Sequence, residues 1–340
     1  CFQAEDGIRD LNTFLSIVDQ VSWAKNEVTN KMFIDKLSGE AYGLRALNYY
    51  YLLMAHGGWT EDGKLLGVPM LLEPESTTSD FNQARAPFSE CVQQILEDLK
   101  LASELLPLDY ENIDSDAEVP AKYKEIGAQL GNYNLVFGTY QRGRLTMRIV
   151  EAIKAQVALL AASPAYRDGS EVTSETAANY AAAVLNRIGG VTGLDPKGHT
   201  WYMNTEELDN LGSGEVPAEI LWRGNKSIGT EDWDMGIKQE KDNFPPTFYG
   251  SGRINPTQNL VDAFPMANGY PIADKANSGY SENAPYTGRD PRLEKYILFN
   301  GAEFKDKTII TGLYPDEDNK QDNGLNQLNT STRTGYYMRK

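Results

Sequence analysis

Side chains that could do covalent chemistry are few and lie far apart along the chain. There are two histidines, His56 and His199, and two cysteines, Cys1 and Cys91. No phosphate-binding glycine loop, no G-x-S-x-G nucleophile turn and no H-E-x-x-H zinc motif occurs. Glycoside hydrolysis needs only two carboxylates, but no pair stands out among the 48 acidic residues. We therefore expect no catalytic residues, and an unrecognised glycoside hydrolase stays the alternative.

Calcium is the one cofactor that the residue types leave open. Residues 314–319 (YPDEDN) bring together carboxylate and carbonyl oxygens, which are the ligands that calcium prefers. The segment lacks the glycine and the terminal glutamate of an EF-hand loop. A solvated acidic loop is the better interpretation, so we predict no cofactor and treat a structural calcium as unsupported.

Aromatic side chains give the first positive indication of function. The chain has 19 tyrosines, 11 phenylalanines and five tryptophans, many of them in segments rich in glycine, asparagine and proline. Such rings can bind polar ligands by stacking and hydrogen bonding. The alternative is that tyrosine merely fills space as an amphipathic residue.

Two loop segments carry the best ligand-binding candidates. Trp233 stands between two aspartates, which predicts a ring near solvent with hydrogen-bond acceptors beside it. Phe248 and Tyr249 follow two prolines and precede a glycine, so a stiff turn would present both rings. Rings in similar loop contexts extend the predicted ligand-binding set: Trp59, Trp201, Tyr280 and Tyr286.

Charge and hydropathy exclude other classes of function. The chain has 32 basic and 48 acidic residues, a formal net charge of −16 and a pI near 4.7. Such a chain lacks the broad basic face that binds nucleic acid. Hydrophobic residues make up 41% and charged residues 24%, as in ordinary globular proteins. No apolar run approaches the ~18–20 residues of a membrane-spanning helix.

Apolar side chains at helical spacing predict four helices before residue 189. Residues 38–55 end at a Gly-Gly pair, residues 87–106 lie beside two prolines, residues 145–162 stop before a proline, and residues 175–188 are rich in alanine. The apolar positions of the first two helices are Leu44, Leu47, Tyr51 and Met54, and then Val92, Ile95, Leu99, Ala102 and Leu106.

These helices should form two antiparallel pairs, 38–55 with 87–106 and 145–162 with 175–188. Stacked pairs of this kind are typical of tetratricopeptide-like repeats, and a plain helical bundle is the alternative. The predicted fold is therefore mostly α, with a tetratricopeptide-like scaffold over residues 1–189.

Residues 190–340 have a different character. Glycine, asparagine, proline and aspartate recur every few residues, and apolar runs shrink to four or five. Residues 219–222 and 296–299 are predicted as short strands, and the first would bury Trp222, which we therefore leave out of the ligand-binding set. Long irregular loops on a helical scaffold usually carry binding residues. We predict that residues 190–340 form a loop-rich ligand-binding region packed on the scaffold.

Five separated rows of sequence resemble the SusD/RagB-like proteins. Residues 255–272 (NPTQNLVDAFPMANGYPI) and 283–301, which contain RDPRL and a later Asn-Gly, are similar to two rows of that family. Residues 39–58 (GEAYGLRALNYY and a later Gly-Gly), 85–107 and 334–340 (TGYYMRK) are similar to three more. The rows occur in the family's order and span almost the whole chain.

The resemblance implies a non-catalytic lipoprotein exposed on the bacterial outer membrane. Members capture glycans, or peptides in the RagB branch, and cover a SusC-like TonB-dependent transporter. Their helices form the scaffold and the partner face, whereas irregular loops carry the ligand. We therefore expect glycan capture and delivery to such a transporter, with a RagB-like peptide-binding protein as the alternative.

The ends of the chain do not resemble the ends of family members. The opening, including Ile8, Arg9 and residues 12–15, resembles a row well inside them, and further helices normally follow the last row. We therefore expect a chain cut at both ends. Cys1 would then be an interior cysteine, and the lipid anchor would lie on a segment outside this chain.

Overall fold

The computed structural model describes residues 2–80, 82–198, 201, 208, 210–212, 216–223, 235–312 and 322–339. The chain divides into two compact units, residues 1–225 and residues 226–340. This division falls later than the predicted boundary at residue 189, because Leu221 packs against the helical core and the Trp222 indole donates a hydrogen bond to Gly143. The predicted mostly α fold is confirmed.

Helices dominate the first unit. Their bounds are α1 (Phe2–Ile17), α2 (Glu27–His56), α3 (Phe88–Leu105), α4 (Ala121–Lys124), α5 (Leu130–Phe137), α6 (Met147–Ala161), α7 (Arg167–Ser170) and α8 (Ser174–Asn186). Two short antiparallel strands, β1 (Gly58–Trp59) and β2 (Leu65–Leu66), follow α2.

Helix α2 begins well before the predicted residue 38. The Asn26 side chain accepts a hydrogen bond from the Thr29 backbone N–H and so caps the first turn. The predicted helix, residues 38–55, omitted these turns but spans Gly39 and Gly43, where glycine lowers helix propensity. Both glycines permit close packing instead: a Cβ on Gly43 would lie only 2.2 Å from Cδ2 of Leu145.

The predicted antiparallel pairing of α2 with α3 is confirmed. A Cβ on Gly39 would meet Leu105 at the end of α3, whereas one on Gly57 would meet Phe88 at its start. All five predicted apolar positions of α3 are buried: Val92, Ile95, Leu99, Ala102 and Leu106.

The predicted apolar face of α2 is wrong in part. Tyr51 and Met54 are 54% and 46% exposed. The helix instead buries Ala46, Tyr49 and Leu53, which share a core cluster with α3 and α6. The continuous apolar run in this helix gives no periodic signal that would separate the two faces.

Helices α6 and α8 form the second predicted pair. Ala162, directly after α6, clusters with Ala177 near the start of α8. At the opposite ends, Arg187 pairs with Glu151. The two helices are therefore antiparallel, as predicted.

A second apolar cluster surrounds the N-terminal half of α2 and buries a lysine. Lys36 is only 2% exposed, and its Nζ donates a hydrogen bond to Oε1 of Gln141 at 2.8 Å. The same Nζ lies 5.9 Å from the ring centre of Tyr110. Burial lowers the pKa of Lys36 to about 8, against the opposing effect of the Glu40 carboxylate.

The second unit has short elements joined by loops. Its helices are α9 (Met235–Asn243), α10 (Gln258–Ala263) and α11 (Pro291–Tyr296). Strand β3 (Ile297–Leu298) pairs antiparallel with β6 (Tyr337–Met338), and β4 (Ala302–Phe304) pairs with β5 (Lys307–Ile309). The strand predicted at 296–299 is confirmed as β3. The strand predicted at 219–222 is wrong, since those residues form a turn and an irregular segment.

Arg289 ties the loops of the second unit together. This residue is 7% exposed and donates hydrogen bonds to the carbonyl oxygens of Val261 at 2.6 Å and Phe264 at 2.7 Å. The neighbouring Asp290 side chain accepts a hydrogen bond from the Arg292 N–H and caps α11. These contacts join residues 255–264 to residues 289–293.

No helix in the described part of the chain is long and apolar enough to span a membrane.

Candidate functional site

Tyr249 presents the most exposed ring among the described members of the predicted ligand-binding set. Its side chain is 93% exposed, and its backbone adopts φ +60° in the left-handed region. A short 3₁₀ turn (Pro246–Phe248) precedes it, and the Tyr249 N–H donates a hydrogen bond to the Pro246 carbonyl at 2.9 Å. A non-glycine residue in this conformation is uncommon and often marks a functional position. The structure thus places Tyr249 directly after a turn, and its role in ligand binding stays a prediction.

Phe248, the next predicted ring, packs inward. Its ring meets Phe304 edge-on, with centroids 5.2 Å apart, and Phe304 meets Phe244 in the same manner. Lys305 places its Nζ 5.5 Å from the Phe248 ring centre. The half-buried Phe248 therefore anchors the turn that carries Tyr249.

Tyr286 and Tyr280 are half-buried around Arg289. The Tyr286 ring stacks on Phe299 with centroids 4.0 Å apart, and its hydroxyl lies 3.2 Å from that of Tyr336. Burial raises the pKa of Tyr286. The Arg289 guanidinium lies 5.6 Å from the Tyr280 ring centre. Both rings thus help to hold the loops of the second unit.

The remaining predicted rings lie in the first unit or outside the described residues. Trp59 is 49% exposed and donates its indole N–H to the Ala165 carbonyl at 2.8 Å, but it belongs to the first unit. Trp201, also in the first unit, is buried at 8% exposure. Trp233 lies outside the described residues, so its place in the set remains a prediction.

Trp222, which the sequence interpretation left out, lines a cavity of about 560 Å³ in the first unit. The expectation of a buried strand tryptophan is wrong, because residues 219–222 form no strand and the ring is 42% exposed. Its indole N–H donates a hydrogen bond to the Gly143 carbonyl at 3.0 Å. Pro217 and Gly224 flank this segment, and both residue types favour loops. The prediction of a strand followed the apolar run between them instead.

Arginine–carboxylate pairs form one wall of this cavity. Arg142 donates to the Glu111 carboxylate at 2.6 Å, and Arg148 pairs with Asp109. Arg144, also in the lining, pairs with Glu40 at 2.8 Å. The cavity therefore combines an aromatic face with charged hydrogen-bond donors, which is the composition of a site for a polar ligand.

Metal-binding geometry is absent from the described residues, where no three side chains of the His, Cys, Asp and Glu types gather into a ligand set. The predicted calcium segment, residues 314–319, lies outside that part of the chain. Cys91 is buried in the core of the first unit, and burial raises the pKa of its thiol.

Both ends of the chain match known protein families. Residues 3–124 match a SusD-like family described as "Starch-binding associating with outer membrane", and residues 218–340 match the SusD family. No curated protein matches the chain significantly.

Solved structures from Bacteroides fragilis share the fold. A SusD-like protein is 24% identical, with a TM-score of 0.58 over 99% of this chain and 57% of that one. A SusD-like carbohydrate binding protein is 16% identical, with a TM-score of 0.51 over 98% of this chain and 52% of that one. This chain thus spans little more than half the length of these two proteins.

Proposed function

We propose, from the premise that this chain belongs to the SusD/RagB-like family, that it is a non-catalytic protein that captures glycans at the surface of the outer membrane. It delivers them to a SusC-like TonB-dependent transporter, and a lipid on a segment outside this chain anchors it. The match to a family described as starch-binding and outer-membrane associated supports this proposal.

The exposed ring of Tyr249 is the observation that carries the proposal. A sugar ring has an apolar C–H face and a rim of hydroxyl groups, so an aromatic ring covers the first while polar groups bind the second. Tyr249 offers both its ring face and its hydroxyl to solvent at 93% exposure. One stacked ring adds about 1 kcal/mol beyond the burial of area. Capture through a few such rings is weak, which suits transfer to a transporter.

Affinity electrophoresis on a panel of soluble polysaccharides tests this function. The Tyr249→Ala variant should lose about fivefold in affinity for a polysaccharide that retards the unaltered protein, which corresponds to about 1 kcal/mol. Tyr140→Ala is the matched control, because that tyrosine is 95% exposed and lies in the other unit. Equal loss in both variants, or unchanged retention in Tyr249→Ala, would overturn the assignment of this ring.

A RagB-like peptide-binding protein is the second candidate. The net charge of −16 favours this alternative for basic peptides, since opposite charge raises the rate of encounter. Titration with an arginine-rich and a glutamate-rich peptide of equal length separates the two functions. Tight binding of the basic peptide without retention by any polysaccharide would favour the peptide function. Release of reducing ends from a retained polysaccharide would instead indicate a glycoside hydrolase.

A further inference from the structure

We propose that the Trp222 cavity is a second saccharide site, selective for a sugar that carries an anionic group, a carboxylate or a sulfate. The cavity has a volume of about 560 Å³, within the ~300–1,000 Å³ of typical small-molecule sites. Its described lining residues belong to the first unit. The saccharide part of this proposal rests on the proposed function, whereas the anionic selectivity rests on the cavity itself.

The Trp222 ring supplies the apolar platform. Its indole N–H is bonded to the Gly143 carbonyl, which fixes one edge of the ring on the segment between α5 and α6. The side chain nevertheless stays 42% exposed. A ring that is held at its edge and open to solvent can cover the C–H face of a sugar without first being ordered.

Guanidinium groups supply the anionic selectivity. Among the described lining residues, four are arginines and two are carboxylates. Each of these carboxylates already accepts hydrogen bonds from an arginine: Glu111 from Arg142 and Asp109 from Arg148. Guanidinium groups thus outnumber carboxylates in the described lining, and the planar fork of donors on an arginine matches the geometry of a carboxylate or sulfate.

The start of α6 adds a positive field at the same cavity. Thr146 caps this helix through a hydrogen bond from the Ile149 N–H, and both residues line the cavity. The first turn has no acidic residue and contains Arg148, although helix starts favour negative charge. The buried Nε–H of Arg148 finds no acceptor among the described residues. An incoming anion would therefore meet a positive helix start and four guanidinium groups in a chain that is acidic as a whole.

Calorimetric titration of the full chain with four small probes tests the proposal. The probes are trigalacturonic acid, its neutral carboxyl-reduced form, a sulfated neutral trisaccharide and a triglutamate peptide. At low ionic strength both anionic saccharides should bind at least about tenfold more tightly than the neutral trisaccharide. Added salt should weaken the binding of the anionic ligands only. The ratio of the dissociation constants of the carboxylate and sulfate probes identifies the preferred anionic group.

Variants locate the binding in the cavity. Trp222→Ala should lower the affinity for both anionic saccharides by at least about tenfold. Trp222→Phe retains a ring and should lower the affinity less. Trp23→Ala is the matched control, because Trp23 is 38% exposed and its indole N–H is likewise held by a carbonyl, that of Val18 at 2.8 Å. Circular dichroism and the Trp222→Phe variant separate a lost ring contact from misfolding.

Three results would overturn the inference. These are failure of both anionic saccharides to bind, equal affinity for the neutral form, and anionic binding that survives Trp222→Ala. Binding of triglutamate that is tight and insensitive to the loss of the ring would identify an acidic-peptide site instead. The proposed function is judged separately by neutral polysaccharide retention through Tyr249, so either proposal can fail while the other stands.

Discussion

Arg45 of α2 and Asp98 of α3 form a buried ion pair with two parallel hydrogen bonds. The Arg45 Nε and Nη2 atoms each lie 2.7 Å from a different Asp98 carboxylate oxygen. The Asp98 side chain is fully buried, and that of Arg45 is 7% exposed. Arg45 Nη1 also donates to Asn12 Oδ1 at 2.9 Å. The pair therefore joins α1, α2 and α3 through one guanidinium.

Breaking this pair from one side should strongly destabilise the first unit. Asp98→Asn leaves a buried guanidinium without its counter-charge, so we expect a loss of roughly 3 kcal/mol in the free energy of unfolding, measured in urea. Glu97→Gln is the control on the same helix, because the Glu97–Lys100 pair is exposed and should contribute less than about 1 kcal/mol. Equal effects of the two substitutions would contradict the prediction.

The buried Lys36 should make stability rise with pH. Its pKa is lowered to about 8 from 10.5, so the folded protein binds fewer protons than the unfolded chain between these values. Stability therefore increases by roughly 2 kcal/mol from about pH 7.5 to about pH 9.5. The Lys36→Met variant should lack this increase, and the difference between the two unfolding curves removes the contributions of other groups. An identical slope in both proteins would show that Lys36 stays charged.

Joint replacement of Trp233 and Tyr249 should weaken glycan retention by about tenfold or more. This estimate assigns roughly 1 kcal/mol to each stacked ring. The measurement is affinity electrophoresis on a polysaccharide that the unaltered protein binds. The double variant Trp23→Ala with Tyr140→Ala removes the same two ring types from the first unit and should retain full binding. A loss no larger than that from Tyr249→Ala alone would remove Trp233 from the site.

Phe248 should matter for stability more than for ligand contact. Its ring packs edge-on against Phe304, so Phe248→Ala should cost roughly 2–3 kcal/mol in unfolding free energy. Phe248→Leu fills much of the same space and should keep glycan retention within about twofold. Lost retention in a stably folded Phe248→Leu variant would mean that the ring itself touches the ligand.

Arg289 and Arg292 should differ sharply although they stand three residues apart. Arg289→Ala leaves the bonded carbonyls of Pro285, Val261 and Phe264 without their donor and should cost roughly 2–4 kcal/mol. The Arg292 side chain is 68% exposed, so Arg292→Ala should cost less than about 1 kcal/mol. Thermal unfolding compares the two. If Arg292→Ala left folding intact but abolished glycan retention, the structural interpretation of residues 289–293 would be wrong.

Local sequence patterns predicted the helical scaffold where one face of a helix meets the core. The stripe from Val92 to Leu106 repeats every three or four residues, and each position is buried. The pattern did not reveal the role of Gly43, which lies inside the predicted helix 38–55 although an interior glycine lowers helix propensity. In the structure, the missing side chain makes room for Leu145, which lies far along the chain. Contacts between residues that are far apart in the sequence produce no periodic pattern in it.

The candidate site was predictable only in part, because exposure depends on tertiary contacts. The two prolines before Phe248 indicated the turn that the structure shows, but they did not indicate that Phe248 packs against Phe304 while Tyr249 stays exposed. Trp222 sits in an apolar run that resembles a strand, yet no partner strand pairs with that segment within the described residues. The buried ion pair of Arg45 and Asp98 likewise joins residues that are 53 positions apart in the sequence.

The long helix α2 also sets an order for the folding of the first unit. Its C-terminal half is covered by α3, whereas Lys36 meets Gln141 and Thr29 meets Asn132, which are 105 and 103 residues further along the chain. Closing longer loops costs more entropy and slows folding. During synthesis from the N-terminus, the end of α2 therefore finds its partners before its beginning does. Until residues 132–141 emerge from the ribosome, the amine of Lys36 stays in water and keeps its proton.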